Sequence, residues 1–111
     1  MSLLQPPKTH YGKMKLFING KWVDSATERY VPIYDPGRGE IIAEMPLATK
    51  EEVDAAIEAA YEAFKSWSRL PVPERLQYIF KMKYLLEEHK ETLARVNTQN
   101  HGKVIRESRG D

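Results

Sequence analysis

Apolar positions change their rhythm partway along the chain. Through about residue 46 they come in short runs broken by turn residues; from residue 53 they recur in steps of three and four. The sharpest local signal is Lys15-Leu16-Phe17-Ile18-Asn19-Gly20-Lys21-Trp22-Val23-Asp24. Asn-Gly between two apolar runs is the preferred two-residue hairpin turn, because both central residues need positive φ. That turn sets Phe17 opposite Trp22, Leu16 opposite Val23 and Lys15 opposite Asp24. The aromatic pair and the opposite-charge pair each add roughly 0.2–1 kcal/mol. Ser25 to Arg29 reads as a loop. Tyr30-Val31-Pro32-Ile33-Tyr34 reads as a strand, and Pro32 removes a ladder donor and so predicts an edge or irregular strand. Asp35-Pro36-Gly37-Arg38 matches a type II turn, with Pro at the second position and Gly at the third. Ile41 to Met45 follows as a further short strand.

The second half switches to helical spacing. Thr49-Lys50-Glu51-Glu52 predicts a capping box, in which the Thr49 hydroxyl accepts from the Glu52 amide and the Glu52 side chain reaches back. Val53, Ala56, Ile57, Ala60, Phe64 and Trp67 then form one apolar stripe, expected to face a core. Leu70-Pro71-Val72-Pro73 breaks this helix, and Pro73 suits the first position of the next, where its missing N–H is no loss. That second helix is expected over about Pro73 to Glu88, with Leu76, Ile79, Phe80, Met82 or Lys83, and Leu86 inward. A third is expected over Glu91 to Gln99, with Leu93, Ala94 and Val96 inward. Gly102 is a natural stop, and Val104 to Asp111 reads as the opening turns of a fourth helix. Met1 to about residue 14 shows no period and reads as a tail, disordered or irregularly packed. Residues 15–111 form the structured segment. Four short strands are too small a sheet to bury every Phe, Trp, Ile and Leu of the helix stripes. The reading therefore expects exposed apolar faces and, through them, self-association.

Composition narrows the function classes. The chain has 111 residues, a net charge of +1 and no Cys. Interspersed charges argue against a nucleic-acid binder that works by neutralising phosphates. No apolar run approaches the ~20 residues that span a bilayer, and no signal-peptide pattern opens the chain. A cytoplasmic protein is expected. Without Cys there is neither a disulfide framework nor a thiolate nucleophile.

Few residues suggest chemistry of their own. Gly37-Arg38-Gly39 follows a strand, but a dinucleotide loop needs a third Gly and a following helix. His10, His89 and His101 lack ligand spacing and read as surface residues. Glu87 and Glu88 point in different directions on a helix and read as solvated. Lys81, Lys83, Lys90 and Arg95 alternate with carboxylates and read as a mixed helix surface.

Five pieces in order carry a family resemblance. Phe17-Ile18-Asn19-Gly20-Lys21-Trp22 resembles the "I-N-G-x-W" opening of aldehyde dehydrogenases. Tyr34-Asp35-Pro36-Gly37-Arg38-Gly39-Glu40 is similar to their "N-P-x-T-G-E" turn, with Asp35 in place of Asn. Thr49 to Ala56 resembles "T-x-E-D-V-D-x-A", Ala63 to Trp67 resembles "A-F-x-x-W", and Gly102-Lys103 with Glu107 resembles "G-K-x-x-x-E". Within the family the helical region is similar to the methylmalonate-semialdehyde dehydrogenase branch.

The resemblance implies an α/β, Rossmann-type parent fold of which this chain is an N-terminal portion: short hairpin strands followed by three to four helices. It implies a parent that oxidises an aldehyde with NAD or NADP through a Cys thioester. No catalytic and no cofactor-binding position of the family maps onto these residues, so the chain alone is expected to be inactive and to bind neither NAD nor NADP. The positions that hold a structural monovalent cation in some members correspond to Asn100 and the carbonyl of Tyr34. Asn100 stands where the family often has a carboxylate. The expected partner is a further copy of the chain or the remainder of the dehydrogenase. The alternative is a separate interaction module, or half of a split dehydrogenase, that binds through its apolar helix faces.

Overall fold

A computed structural model describes residues 7–111. The elements are β1 (Leu16–Ile18), β2 (Lys21–Val23), β3 (Tyr30–Asp35), β4 (Glu40–Pro46), α1 (Lys50–Trp67), α2 (Val72–Glu88), α3 (Lys90–His101) and α4 (Ile105–Ser108). Strands precede helices, as the change of rhythm predicts.

β1 and β2 form an antiparallel hairpin in the expected register, with Phe17 opposite Trp22 and Leu16 opposite Val23. Asn19 and Gly20 have φ of 51° and 73°, the positive values that this turn needs. The Phe17 and Trp22 rings lie 4.9 Å apart at 52°, and Lys15 Nζ is 3.6 Å from Asp24.

β3 and β4 form a second antiparallel pair with an irregularity between Ile33 and Tyr34. Their connection differs from the expected type II turn. Gly39, not Gly37, carries the positive φ, at 70°. The Asp35 carboxylate accepts the Gly37 and Arg38 amides at 2.9 and 3.2 Å, and the Asp35 carbonyl accepts the Gly39 amide at 2.8 Å. A side chain that captures the next amides imitates a backbone turn. The left-handed residue therefore falls at the end of the loop.

The far side of β4 is also occupied. The Tyr11 amide donates to the Ile42 carbonyl, the Met14 amide to that of Glu44, and the Glu44 amide to that of Gly12, at 2.7, 2.8 and 3.0 Å. Residues 11–14, irregular by sequence, are thus laid along β4, while residues 1–6 lie outside the described residues. Gln99 of α3 ties this segment down: it accepts from the Tyr11 hydroxyl at 3.0 Å and donates to the Lys8 carbonyl at 2.7 Å. β3 is left on the edge, where Pro32 is tolerated.

The capping box on α1 forms in full. Pro73 is the second residue of α2 rather than the first, still among the amides that need no intrahelical acceptor. α3 ends at Gly102, with φ 87° and ψ 2° and its amide donating to the Thr98 carbonyl. Close packing adds to this choice, because a Cβ on Gly102 would stand 2.8 Å from Pro36 Cγ.

The expected burial of the helix stripes does not occur. Neither α1 nor α2 contains a buried residue; Ile57 is 62% exposed and Phe80 59%. On α3 Ala94 is buried, whereas Leu93 and Val96 are partly open. The buried apolar residues are Ile42, Ala43, Pro46 and Ala94, among the described residues. Two two-stranded sheets offer too little area to cover these helices. The radius of gyration is 17.0 Å, against about 13 Å for a compact chain of this length. The surface is 8996 Å², against about 6,300 Å² for a compact protein of this mass.

Candidate functional site

Three places in this open structure gather polar or reactive groups. The first is the corner where the end of α3 meets the β3–β4 turn. Gly102 rests against Pro36, so Asn100 and Tyr34 lie two residues away from that contact on facing elements. Asn100 is exposed. The nearest carboxylate in sequence, Asp35, is buried and engaged by the Gly37 and Arg38 amides. Two neutral oxygens are an incomplete shell for a hard cation, which takes several oxygen ligands. No group of three or more His, Cys, Asp or Glu suited to a metal exists among the described residues. The same amide commitments close the Gly37–Gly39 turn to phosphate, and β4 rather than a helix follows it. That turn does not fit a dinucleotide.

The second place is the junction around Glu52 and its counterpart at the other end of the helices. Glu52 accepts from the Ser25 hydroxyl at 2.8 Å, the Ala26 amide at 2.6 Å and the Thr49 amide at 2.9 Å. These bonds, with the Ala26 amide foremost, hold its carboxyl below the usual carboxylate range. One carboxylate thereby joins the start of α1 to the β2–β3 loop. At the α3–α4 end, Arg109 donates two bonds of 2.9 Å to Glu91, which lowers the Glu91 pKa chiefly through that contact. Asp111 accepts from Lys103 and Asn97, and the Lys103 bond is the main cause of its lowered pKa. His89 departs from the surface reading: it is buried where α2 passes into α3, with Nε2 3.8 Å from Glu88. Glu87 and Glu88 are solvated, and Glu87 pairs with Lys83 one turn away.

The third place is the α1–α2 hairpin. The Trp67 and Tyr78 rings meet edge to face at 5.2 Å. Trp67 divides two clefts. One, of about 640 Å³, is lined by Ala60, Phe64, Leu70 and Tyr78. The other, of about 310 Å³, is lined by Val72, Arg75, Leu76 and Ile79. Arg75 Nε is shut off from solvent with no hydrogen-bond acceptor among the described residues. Sequence reasoning passed over Arg75. The available signal was its spacing: Ile79 lies one helical turn away, so a guanidinium shares an apolar face. None of the three places pairs a nucleophile with a base, and the sequence holds no thiol.

The surroundings of these places match an enzyme class. The Sinorhizobium meliloti protein assigned as a methylmalonate-semialdehyde dehydrogenase, solved with NAD, superposes with a TM-score of 0.85 at 29% identity, covering 94% of this chain and 21% of that one. A Staphylococcus aureus betaine aldehyde dehydrogenase superposes with a TM-score of 0.80 at 34% identity, covering 87% and 20%. The sequence profile of the aldehyde dehydrogenase family matches residues 22–111. The chain belongs to the aldehyde dehydrogenase family. It is 41% identical over 99 residues to the malonate-semialdehyde dehydrogenase of Bacillus subtilis (strain 168), covering 89% of this chain and 20% of that protein. It is 43% identical over 101 residues to that of Lacticaseibacillus casei, covering 91% and 20%. The chain thus spans about a fifth of the length of the curated relatives it matches. No helix among the described residues is long and apolar enough to cross a membrane.

Proposed function

We propose that these residues serve as the N-terminal outer segment of a cytoplasmic, NAD(P)-dependent semialdehyde dehydrogenase of the malonate or methylmalonate type. The complete enzyme oxidises its aldehyde through a Cys thioester, and this segment supplies scaffold and subunit packing without a catalytic or cofactor-binding residue. The observation that carries the reading is the pairing of about 40% identity to malonate-semialdehyde dehydrogenases with a chain devoid of Cys. A thiolate is the nucleophile such chemistry needs. Asn100 and the Tyr34 carbonyl contribute two ligands to a monovalent cation whose remaining ligands come from other parts of the enzyme.

The test is to mix the chain with the remaining part of the B. subtilis relative and follow NADH formation from malonate semialdehyde. The chain alone gives no NADH and the mixture does. Turnover by the chain alone, or an inert mixture of two folded partners, defeats the proposal. For the cation, the melting temperature of the assembled enzyme is compared in sodium, potassium and tetramethylammonium chloride. Equal values in all three remove it.

The apolar helix faces favour a second reading, in which the chain is a separate module that binds a partner through them. Large apolar side chains such as Ile57, Phe64 and Phe80 stand exposed on α1 and α2, and exposed apolar patches mark interfaces. This reading predicts that the chain binds without restoring turnover.

A further inference from the structure

Arg75 poses a chemical question that the described residues leave open. A guanidinium N–H shut away from water without an acceptor is destabilising, and native structures seldom leave one so. Its helical neighbours three and four residues away are Val72, Tyr78, Pro71 and Ile79, and none offers a carboxylate. The residues lining the two clefts beside Trp67 include no Asp or Glu. An acceptor from outside the described residues would complete this donor. The surroundings have the makeup of a binding hot spot, in which Trp, Tyr and Arg carry most of the energy. Over the whole molecule the surplus surface, about 2,700 Å² beyond a compact protein of this mass, exceeds the ~800 Å² per partner that a stable association hides.

Resting on the function proposed above, we infer that the clefts on either side of Trp67 are the seat of the dehydrogenase polypeptide corresponding to the four fifths of its relatives that this chain does not span, and that a carboxylate or carbonyl oxygen of that polypeptide closes on Arg75 Nε. Phe64, Trp67 and Tyr78 supply the apolar contact, and Arg75 sets the register. A hydrogen bond made in a closed site from a charged donor is strong and directional.

The experiment titrates the chain with the complementary part of the B. subtilis relative. The Trp22→Phe substitution leaves Trp67 as the reporting indole. Trp67 emission is expected to shift to the blue and saturate. Arg75→Met is expected to weaken binding by at least about tenfold. Arg75→Lys, which keeps the charge and lacks Nε, is expected to weaken it as well. Lys21→Ala, on the β1–β2 hairpin and lining neither cleft, is expected to leave it within about twofold of the parent, in the range of energetically neutral positions. Three results overturn the inference: Arg75→Met binding within twofold of the parent, an unshifted Trp67, or a second copy of the chain occupying the clefts and blocking the titrant. If the complementary part does not fold alone, it is fused after Asp111 and acrylamide quenching is read instead. Trp67 quenched as freely as in the separate chain then overturns the inference. NADH formation separates the two proposals. Turnover that is indifferent to Arg75→Met leaves the proposed function standing and removes this inference. Arg75-dependent binding with no turnover on malonate semialdehyde does the reverse.

Discussion

Gly102→Ala tests whether the end of α3 is locked to the β3–β4 turn. Two costs stack at this position. The backbone sits at φ 87°, where a residue with a Cβ costs roughly 1–2 kcal/mol. The new methyl would also stand 2.8 Å from Pro36 Cγ, well inside van der Waals contact, and a proline ring has little freedom to withdraw. Gly39 supplies the internal control: its φ is 70° and nothing lies within 4 Å of a Cβ built there. Gly39→Ala is therefore expected to cost about 1–2 kcal/mol from backbone strain alone. Gly102→Ala should cost about 1–3 kcal/mol more, the range for forcing an atom into packed space. Urea unfolding followed at 222 nm gives both values, and in a chain of this size each kcal/mol lowers the melting temperature by about 4–8 °C. Pro36→Ala in the Gly102→Ala background removes the clashing Cγ, so the double-mutant cycle should recover most of the excess. Equal costs at Gly39 and Gly102, or an excess that survives Pro36→Ala, would refute the packing explanation.

The remaining predictions concern the core, the open face and the Glu52 junction. Ile42→Ala, in one of the few buried positions, should cost about 2–4 kcal/mol, while Ile57→Ala should change the separate chain by less than about 0.5 kcal/mol. The same Ile57→Ala should cost more than about 1 kcal/mol once the chain is fused to its complementary part; an unchanged fusion would show that this face stays open to water. Thr49→Ala should cost about 1 kcal/mol through loss of the α1 cap, measured by thermal unfolding. Glu52 is held below its ordinary pKa by the Ala26, Thr49 and Ser25 bonds, so its contribution is complete above the ordinary carboxylate range. That contribution is lost as pH falls through the depressed folded value. Glu52→Gln should therefore lower the melting temperature at pH 7 and flatten its decline on acidification, and a wild-type slope in the variant would contradict the role.

Local chemistry was legible where one short segment contains all the atoms involved. Asn19-Gly20 dictates its own turn, Thr49 and Glu52 their own cap, and Gly102 its own helix end. Each depends on backbone preferences spanning four residues or fewer. The Asp35 turn shows where this stops. Pro36-Gly37 has the composition of one turn type, but the carboxylate one residue earlier captures two amides and selects another.

The sequence by itself determined the order of strands and helices, the register of the first hairpin, the lack of a thiol and, through five ordered motifs, the family. Tertiary structure alone decided which apolar faces are covered, because burial is a property of pairs of surfaces and periodicity describes only one of them. It laid residues 11–14 along β4, buried His89 where two helices join and left Arg75 Nε without an acceptor among the described residues. The spacing of Val53, Ile57, Phe64 and Trp67 announces a face that needs a partner. Only the fold reveals that the described residues do not provide one, since two small sheets cannot cover three helices.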